Sequence, residues 1–124
     1  MDKELEDITH RVIGAAIEVH KELGPGYLEK VYQDALIVEL GLQGIKAAPE
    51  FKFALDYKGH RVGAGRIDIL VDDRLVLELK AVDQLAPIHT AQLISYLEAT
   101  KRRLGLLINF NTPILKEGIK RIAL

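Results

Sequence analysis

An alternating stretch near the middle of the chain, residues 66–80, carries an aspartate, a glutamate and a lysine at spacings that suit metal-ion chemistry. Successive side chains on a strand point to opposite faces, so Glu78 and Lys80 share one face. Asp68, on the preceding strand, is predicted to lie away from the aliphatic face. That face is predicted to hold Ile67, Ile69, Val71, Leu75, Leu77 and Leu79. Acids and a lysine on a mostly buried sheet are costly unless they bind something, and a divalent metal is the natural candidate.

The length of the turn between the two strands decides whether Asp68 joins Glu78 on one face. A three-residue turn (Asp72, Asp73 and Arg74) places Asp68 opposite Glu78. A two-residue turn would instead place Asp68 opposite Leu77 and separate the two acids. The three-residue turn is preferred because it keeps the aliphatic residues together. Cross-strand Cβ atoms then lie about 4.5–5.5 Å apart, close enough for two carboxylates to share one cation.

The elements around this hairpin predict an α/β fold with the order α-α-β-β-β-α-β. Helices are predicted over residues 8–23, from about 27 to 40 with Gly41 as the stop, and from 87 to about 100. Strands are predicted over 51–57, 66–71, 75–80 and 104–110. The third helix is long enough to cross over, so the last of these strands can lie parallel to the strand that begins at Leu75. An edge strand over residues 119–124 would raise the mixed sheet from four strands to five.

Composition predicts one domain spanning residues 1–124, with 48% hydrophobic and 28% charged residues. There is no cysteine, and the four histidines at positions 10, 20, 60 and 89 lack ligand-like spacing, which excludes thiolate sites and a zinc cluster. No apolar run approaches the roughly 20 residues of a membrane span. The acidic start is unlike a signal peptide. We therefore expect a soluble cytoplasmic protein without a membrane partner.

The net charge of −1 means that no overall basic field attracts nucleic acid. Any such binding must use a local patch. The candidate patches are Lys101-Arg102-Arg103 and the group of Lys116, Lys120 and Arg121. The first is also explained as a solvated helix end, where cations interact favourably with the helix dipole.

Several short segments around the hairpin carry a family resemblance. Asp68 followed by Glu78-Leu79-Lys80, between a helix and a crossover helix, resembles the core of the PD-(D/E)XK nuclease superfamily. The motif over residues 26–32, Gly-Tyr-Leu-Glu-Lys-Val-Tyr, is similar to the one that names the GxxExxY branch. Segments 18–20, 23–26, 78–81, 89–92, 96–97 and 105–110 also look like that branch. The resemblance implies a restriction-endonuclease-like core.

The same resemblance implies a metal site. Asp68 and Glu78 would hold Mg²⁺ or Mn²⁺, and the carbonyl of Leu79 is a candidate for a further ligand. Glu29, on the second helix, would add an acid to the inner or outer shell of the metal. Taken alone, Glu29 is equally an exposed helix residue, and Tyr32 of the same motif is expected to pack with its hydroxyl hydrogen-bonded.

Three further residues acquire catalytic roles by resemblance. Lys80 would orient or activate the attacking water. Gln92 and Tyr96 stand four residues apart, hence on one face of a helix. They would border the site and contact the phosphate, although they also fit the polar rim of an amphipathic helix.

Two functions follow from these residues. The first is a metal-dependent nuclease that hydrolyses phosphodiester bonds of DNA or RNA, and the intact set of Asp68, Glu78 and Lys80 favours it. The alternative is a non-catalytic module that keeps the nuclease fold and binds nucleic acid or a protein. A surface ion pair on a solvated strand is the competing explanation of the same three residues. A core this small would need a homodimer to grip a duplex.

Overall fold

A computed structural model describes residues 2–124 as a five-stranded mixed sheet with helices on both faces. The sheet order is β1-β2-β3-β4-β5, in which β3 and β4 are parallel and the other neighbours are antiparallel. This confirms the α/β restriction-endonuclease-like fold, including its fifth strand. No helix within residues 2–124 has the length and apolar character that crossing a membrane requires. The elements are α1 (Lys3–Leu23), α2 (Glu29–Leu42), β1 (Ala47–Tyr57), β2 (His60–Val71), β3 (Leu75–Lys80), α3 (Pro87–Thr100), β4 (Leu104–Asn109), a 3₁₀ turn (Leu115–Gly118) and β5 (Ile119–Ala123).

The first two helices differ from the prediction at their ends. The α1 helix begins at Lys3, five residues early, because the Asp2 side chain accepts hydrogen bonds from the amides of Glu4 and Leu5. The α2 helix begins at Glu29 and runs through Gly41 to Leu42, so the predicted stop at Gly41 is wrong. Apolar periodicity marks the buried face of a helix but not its capped ends.

Two hydrophobic clusters hold the helices against the sheet. The first joins α1 and α2 to one face, with Val12, Leu36 and Leu77 fully buried. The second joins α3 to the opposite face through Leu93 and Leu97. The sheet is therefore covered on both faces, and α3 alone covers the face towards which Asp68 and Glu78 were predicted to point.

Close contact between α3 and the sheet depends on a glycine in β4. A Cβ at Gly105 would lie 2.9 Å from a methyl carbon of Leu93. Real Cβ contacts are longer, so with a side chain at position 105 either the buried Leu93 side chain or α3 itself would have to shift. Gly105 thereby sets the position of the helix that carries Gln92 and Tyr96.

The β1–β2 pair changes face at Glu50 and Asp68. Ile69 packs in the cluster under α1 and α2, whereas Ile67 packs in the cluster under α3. The prediction that these two isoleucines share one aliphatic face is therefore wrong. The cause lies in β1, where Glu50 has a φ of +53°. A residue with a left-handed φ interrupts the alternation of side chains along its strand, as in a β-bulge. The side chains of the paired strand change face at the same place.

Candidate active site

The turn between β2 and β3 brings the two predicted acids together. Asp72 and Asp73 adopt left-handed φ values of 51° and 58°, and the Arg74 amide donates to the Val71 carbonyl at 3.0 Å. Val71 pairs with Leu75, which is the three-residue turn that the sequence predicts. Continuing this register one residue beyond the paired residues brings Asp68 beside Glu78. The alternative two-residue turn is thus excluded.

Each acid is fixed by the backbone of the other strand. The β2–β3 pairing stops at Ile69 and Leu77. Beyond it, the Asp68 amide donates to Glu78 Oε2 at 2.8 Å, and the Leu79 amide donates to Asp68 Oδ2 at 2.8 Å. These two bonds take the place of the backbone–backbone hydrogen bonds that would otherwise pair the two strands here. They hold both carboxylates rigidly at the end of the hairpin.

Burial and mutual repulsion make this pair electrostatically unusual. Glu78 is only 4% exposed, and the Asp68 side chain is 13% exposed. Burial, and then the charge of Asp68, raise the pKa of Glu78 to about 8. Burial also raises the pKa of Asp68, against the opposing effects of the Leu79 amide and of Arg66. A cation bound between the carboxylates would reduce both the cost of burying their charges and the repulsion between them.

Lys80 connects the acids to α3. Its Nζ donates to Gln92 Oε1 at 3.3 Å, and Gln92 Nε2 donates to the hydroxyl of Tyr96 at 3.4 Å. The structure therefore brings Lys80, Gln92 and Tyr96 together beside Asp68 and Glu78. Because Gln92 accepts a hydrogen bond from the ammonium group, the direction of the Lys80 side chain is defined without an ion pair to either carboxylate.

Tyr96 is placed by an aromatic contact with β1. Its ring meets that of Phe53 at 5.1 Å in an edge-to-face arrangement. Burial, followed by the charges of Glu78 and Asp68, raises the pKa of the Tyr96 hydroxyl. The hydroxyl consequently stays protonated and can donate a hydrogen bond to an anion at the site.

A second polar layer, centred on Glu50, was missed by the sequence analysis. Arg66 lies 3.4 Å from Glu50 and 3.6 Å from Asp68, so it joins the two carboxylates. Glu50 also accepts from Lys30 at 2.9 Å and from Gln33 at 3.1 Å, both on α2. The hydrogen bond from Lys30 is the main cause of the lowered pKa of Glu50. The only signal in the sequence is an acid directly after Pro49, at the start of the alternating Phe51 strand.

Glu29 is the one predicted site residue that the structure does not bring to the pair. It is the exposed first residue of α2. Within residues 2–124, no group of three or more histidine, aspartate or glutamate side chains is arranged to hold a metal ion. A metal role for Glu29 stays a prediction.

Tyr32 of the same motif has a structural position. It is fully buried, stacks on Phe110 at 4.6 Å and donates its hydroxyl proton to the Gly24 carbonyl at 2.6 Å. The hydroxyl oxygen also accepts from the Tyr27 amide at 3.1 Å. The prediction that Tyr32 packs with a satisfied hydroxyl is confirmed, and its two hydrogen bonds fix the loop before α2.

The oxygen atoms at this site suit a hard divalent cation. Mg²⁺ and Mn²⁺ prefer carboxylate and carbonyl oxygens, and Mg²⁺ is commonly held by only one or two protein carboxylates. Asp68 and Glu78 supply two carboxylates whose ionisation is unfavourable without a nearby positive charge. The residues present therefore fit a divalent metal, with the remaining ligands left to solvent or substrate.

Comparison with known proteins gives one family match. The family model described as the PD-(D/E)XK nuclease superfamily matches residues 6–122, from the first turns of α1 into β5. The match includes every residue of the acidic site. No curated protein matches the chain.

Proposed function

The chain belongs to the PD-(D/E)XK nuclease superfamily, and we propose that it acts as a metal-dependent nuclease that hydrolyses phosphodiester bonds of nucleic acid. The observation that carries this proposal is the reciprocal hydrogen bonding of Asp68 and Glu78 to backbone amides. It orients two partly buried carboxylates at one point, which a solvated surface ion pair would not require.

The metal would be held by Asp68 and Glu78. When bound, Mg²⁺ or Mn²⁺ supplies charge neutralisation at the phosphate and a more acidic water as nucleophile. The Leu79 carbonyl is the further ligand implied by the resemblance. Glu29 would complete the set only if the start of α2 moves towards the pair.

The remaining side chains bind and orient the reacting groups. Lys80 Nζ, directed by Gln92, would hold the attacking water by a hydrogen bond and stabilise negative charge on the phosphate. The protonated Tyr96 hydroxyl would donate to a non-bridging phosphate oxygen. Arg66, beside Asp68, adds a positive charge near the same phosphate.

A cleavage assay tests this proposal. Labelled single- and double-stranded DNA and RNA would be incubated with the protein and Mg²⁺ or Mn²⁺. Cleavage is expected from the wild type and from the control Asp7→Asn, which removes an exposed acid of α1. Asp68→Asn should abolish it. Cleavage that survives in Asp68→Asn, or its absence from the wild type on all four substrates with both metals, would contradict the proposal.

A non-catalytic nucleic-acid-binding module is the second candidate. The position of Glu29 favours it, because a third acid is not grouped with Asp68 and Glu78 within residues 2–124. The same cleavage assay, run beside a binding assay, separates the two functions. Binding without cleavage would support the module.

Three finer expectations belong with this proposal. Membership of the GxxExxY branch rests on the motif from Gly26 to Tyr32. A cytoplasmic location rests on composition. A homodimer rests on the small size of the core, and sedimentation of the protein with and without duplex would test it.

A further inference from the structure

The outer parts of β1 and β2 form a two-stranded ribbon beyond the end of β3. The β2 strand pairs with β1 from His60 to Val71, but its pairing with β3 covers only Ile69 to Val71. We call residues 51–66, which are the two strand segments and the turn that joins them, the ribbon. At about 3.3 Å per residue, the seven residues of each strand extend about 23 Å. The ribbon therefore projects from the place where Asp68 and Glu78 lie, and at its base Phe51 and Phe53 pack against the cluster under α3.

Positive charge is concentrated on the ribbon. Its strands and turn hold four cations, Lys52, Lys58, Arg61 and Arg66, and one acid, Asp56. All four cations are exposed, in a chain whose net charge is −1. Asp56 pairs with Arg61 at 2.7 Å and leaves the others for a partner or for Glu50 and Asp68. An anionic partner is therefore favoured on this surface.

One arginine in each basic patch expected from the sequence is paired within the protein. Arg102 pairs with Asp73 at 2.7 Å and lies over the ring of Phe51. Arg121 is bound by both carboxylate oxygens of Glu6. These two charges are paired within the protein, whereas the other cations of both patches are exposed. The ribbon is preferred because its base, at Arg66, lies beside Asp68.

We propose that the ribbon is the arm through which the protein binds duplex DNA, with the ribbon in the major groove and its cations on the phosphates. This inference rests on the proposed nuclease function. The major groove of B-form DNA is about 12 Å wide and admits a two-stranded ribbon, whereas the major groove of duplex RNA is too narrow. Arg66, at the base of the ribbon, lies 3.6 Å from Asp68, so a duplex held there runs beside the acids.

Two exposed side chains at the tip of the ribbon could make apolar contacts with base edges in the major groove. Tyr57 is 61% exposed and Val62 is 64% exposed. Such groups contact base edges, including the thymine methyl group. The ribbon is less suited to binding a second copy of the chain than to binding DNA, because Lys52 and Arg66 lie opposite each other in the strand pairing. Lysine on an edge strand opposes edge-to-edge association.

Equilibrium binding without metal tests the arm separately from cleavage. Fluorescence anisotropy in EDTA would follow a labelled DNA duplex, the matching RNA duplex and single-stranded DNA. The ribbon variant is Lys52→Gln, Lys58→Asn and Arg61→Gln, in which asparagine suits the left-handed φ of +49° at position 58. The control removes three exposed cations outside the ribbon and outside both basic patches: Lys3→Gln, Lys21→Gln and Lys46→Gln. Circular dichroism would check that both variants keep the fold.

The ribbon variant should bind DNA duplex at least about tenfold more weakly. Its salt slope should fall by about 1.8, at about 0.9 for each lost phosphate contact of Lys52 and Lys58, because Arg61 is paired with Asp56. The control should keep the wild-type slope. Equal losses in both variants, equal binding of duplex RNA or single strands, or a change in oligomeric state confined to the ribbon variant would overturn the proposal. If the wild type binds DNA through the ribbon but never cleaves it, the DNA-binding role of the ribbon is supported and the nuclease function is contradicted. If both variants bind and cleave like wild type, only the arm fails.

Discussion

Without a bound cation, the free energy of unfolding should fall as pH rises from about 4.5 to about 8, mainly because of Glu78. Burial and the neighbouring Asp68 charge raise the pKa of Glu78 from 4.5 to about 8. The native state therefore keeps a proton that the unfolded chain releases. This contribution is complete below the unfolded pKa and is lost as pH rises through the folded pKa. The raised pKa of Asp68 acts in the same direction.

The expected loss is large relative to the stability of a small domain. At about 1.4 kcal/mol per pKa unit, a displacement from 4.5 to about 8 corresponds to about 5 kcal/mol as an upper limit. Domains of this kind are stable by only about 5–15 kcal/mol in total. The metal-free protein should therefore be measurably less stable at alkaline pH than near pH 4.5, and saturating Mn²⁺ should restore the lost stability.

Urea denaturation followed by circular dichroism, in EDTA and at a series of pH values, measures this directly. Glu78→Gln keeps an oxygen that can accept from the Asp68 amide but does not titrate. It should flatten the profile and be more stable than wild type at high pH. Glu117→Gln, an exposed acid in the 3₁₀ turn, is the matched control. A flat wild-type profile, or an unchanged slope in Glu78→Gln, would refute the electrostatic description of the pair.

Three substitutions test the parts around the acids. Lys80→Ala should abolish cleavage but retain metal affinity in a calorimetric titration, because an ammonium group cannot ligate a cation; equal loss of both would contradict its role. Tyr96→Phe keeps the ring and should lower kcat by about tenfold or more without changing the melting temperature, and an unchanged kcat would remove the hydroxyl from the mechanism. Gly105→Ala should lower the free energy of unfolding by about 1–3 kcal/mol, because its Cβ meets Leu93. Gly63→Ala, with open space around the added Cβ, is the control, and equal stability of the two variants in urea would show that α3 does not depend on the close approach.

The hairpin could be predicted because two independent signals agree there. Strand alternation and the three-residue turn both place Asp68 opposite Glu78, and a shift of one residue would have moved each side chain to the opposite face of the sheet. Lys80 follows from the same alternation. The α3 helix was predicted with its observed bounds because Pro87 marks its first turn and its pattern is continuous.

The change of face at Glu50 could not be predicted from periodicity. A glutamate with a positive φ is uncommon, and its conformation is maintained by surrounding structure that no local pattern encodes. Its partners Lys30 and Arg66 come from α2 and β2, so the polar layer exists only after these elements pack. The position of Glu29 depends likewise on how α2 docks. Motif spacing alone carries no information about that docking.

Calorimetric titration of Mn²⁺ tests the metal-binding role of the acidic pair most directly. Wild type and the control Asp7→Asn should bind the ion with the same affinity at a pH near 8. Asp68→Asn and Glu78→Gln should each bind at least about tenfold more weakly, because each removes one of two charged ligands. Absence of binding by the wild type, or wild-type affinity in both variants, would contradict a metal site built on Asp68 and Glu78.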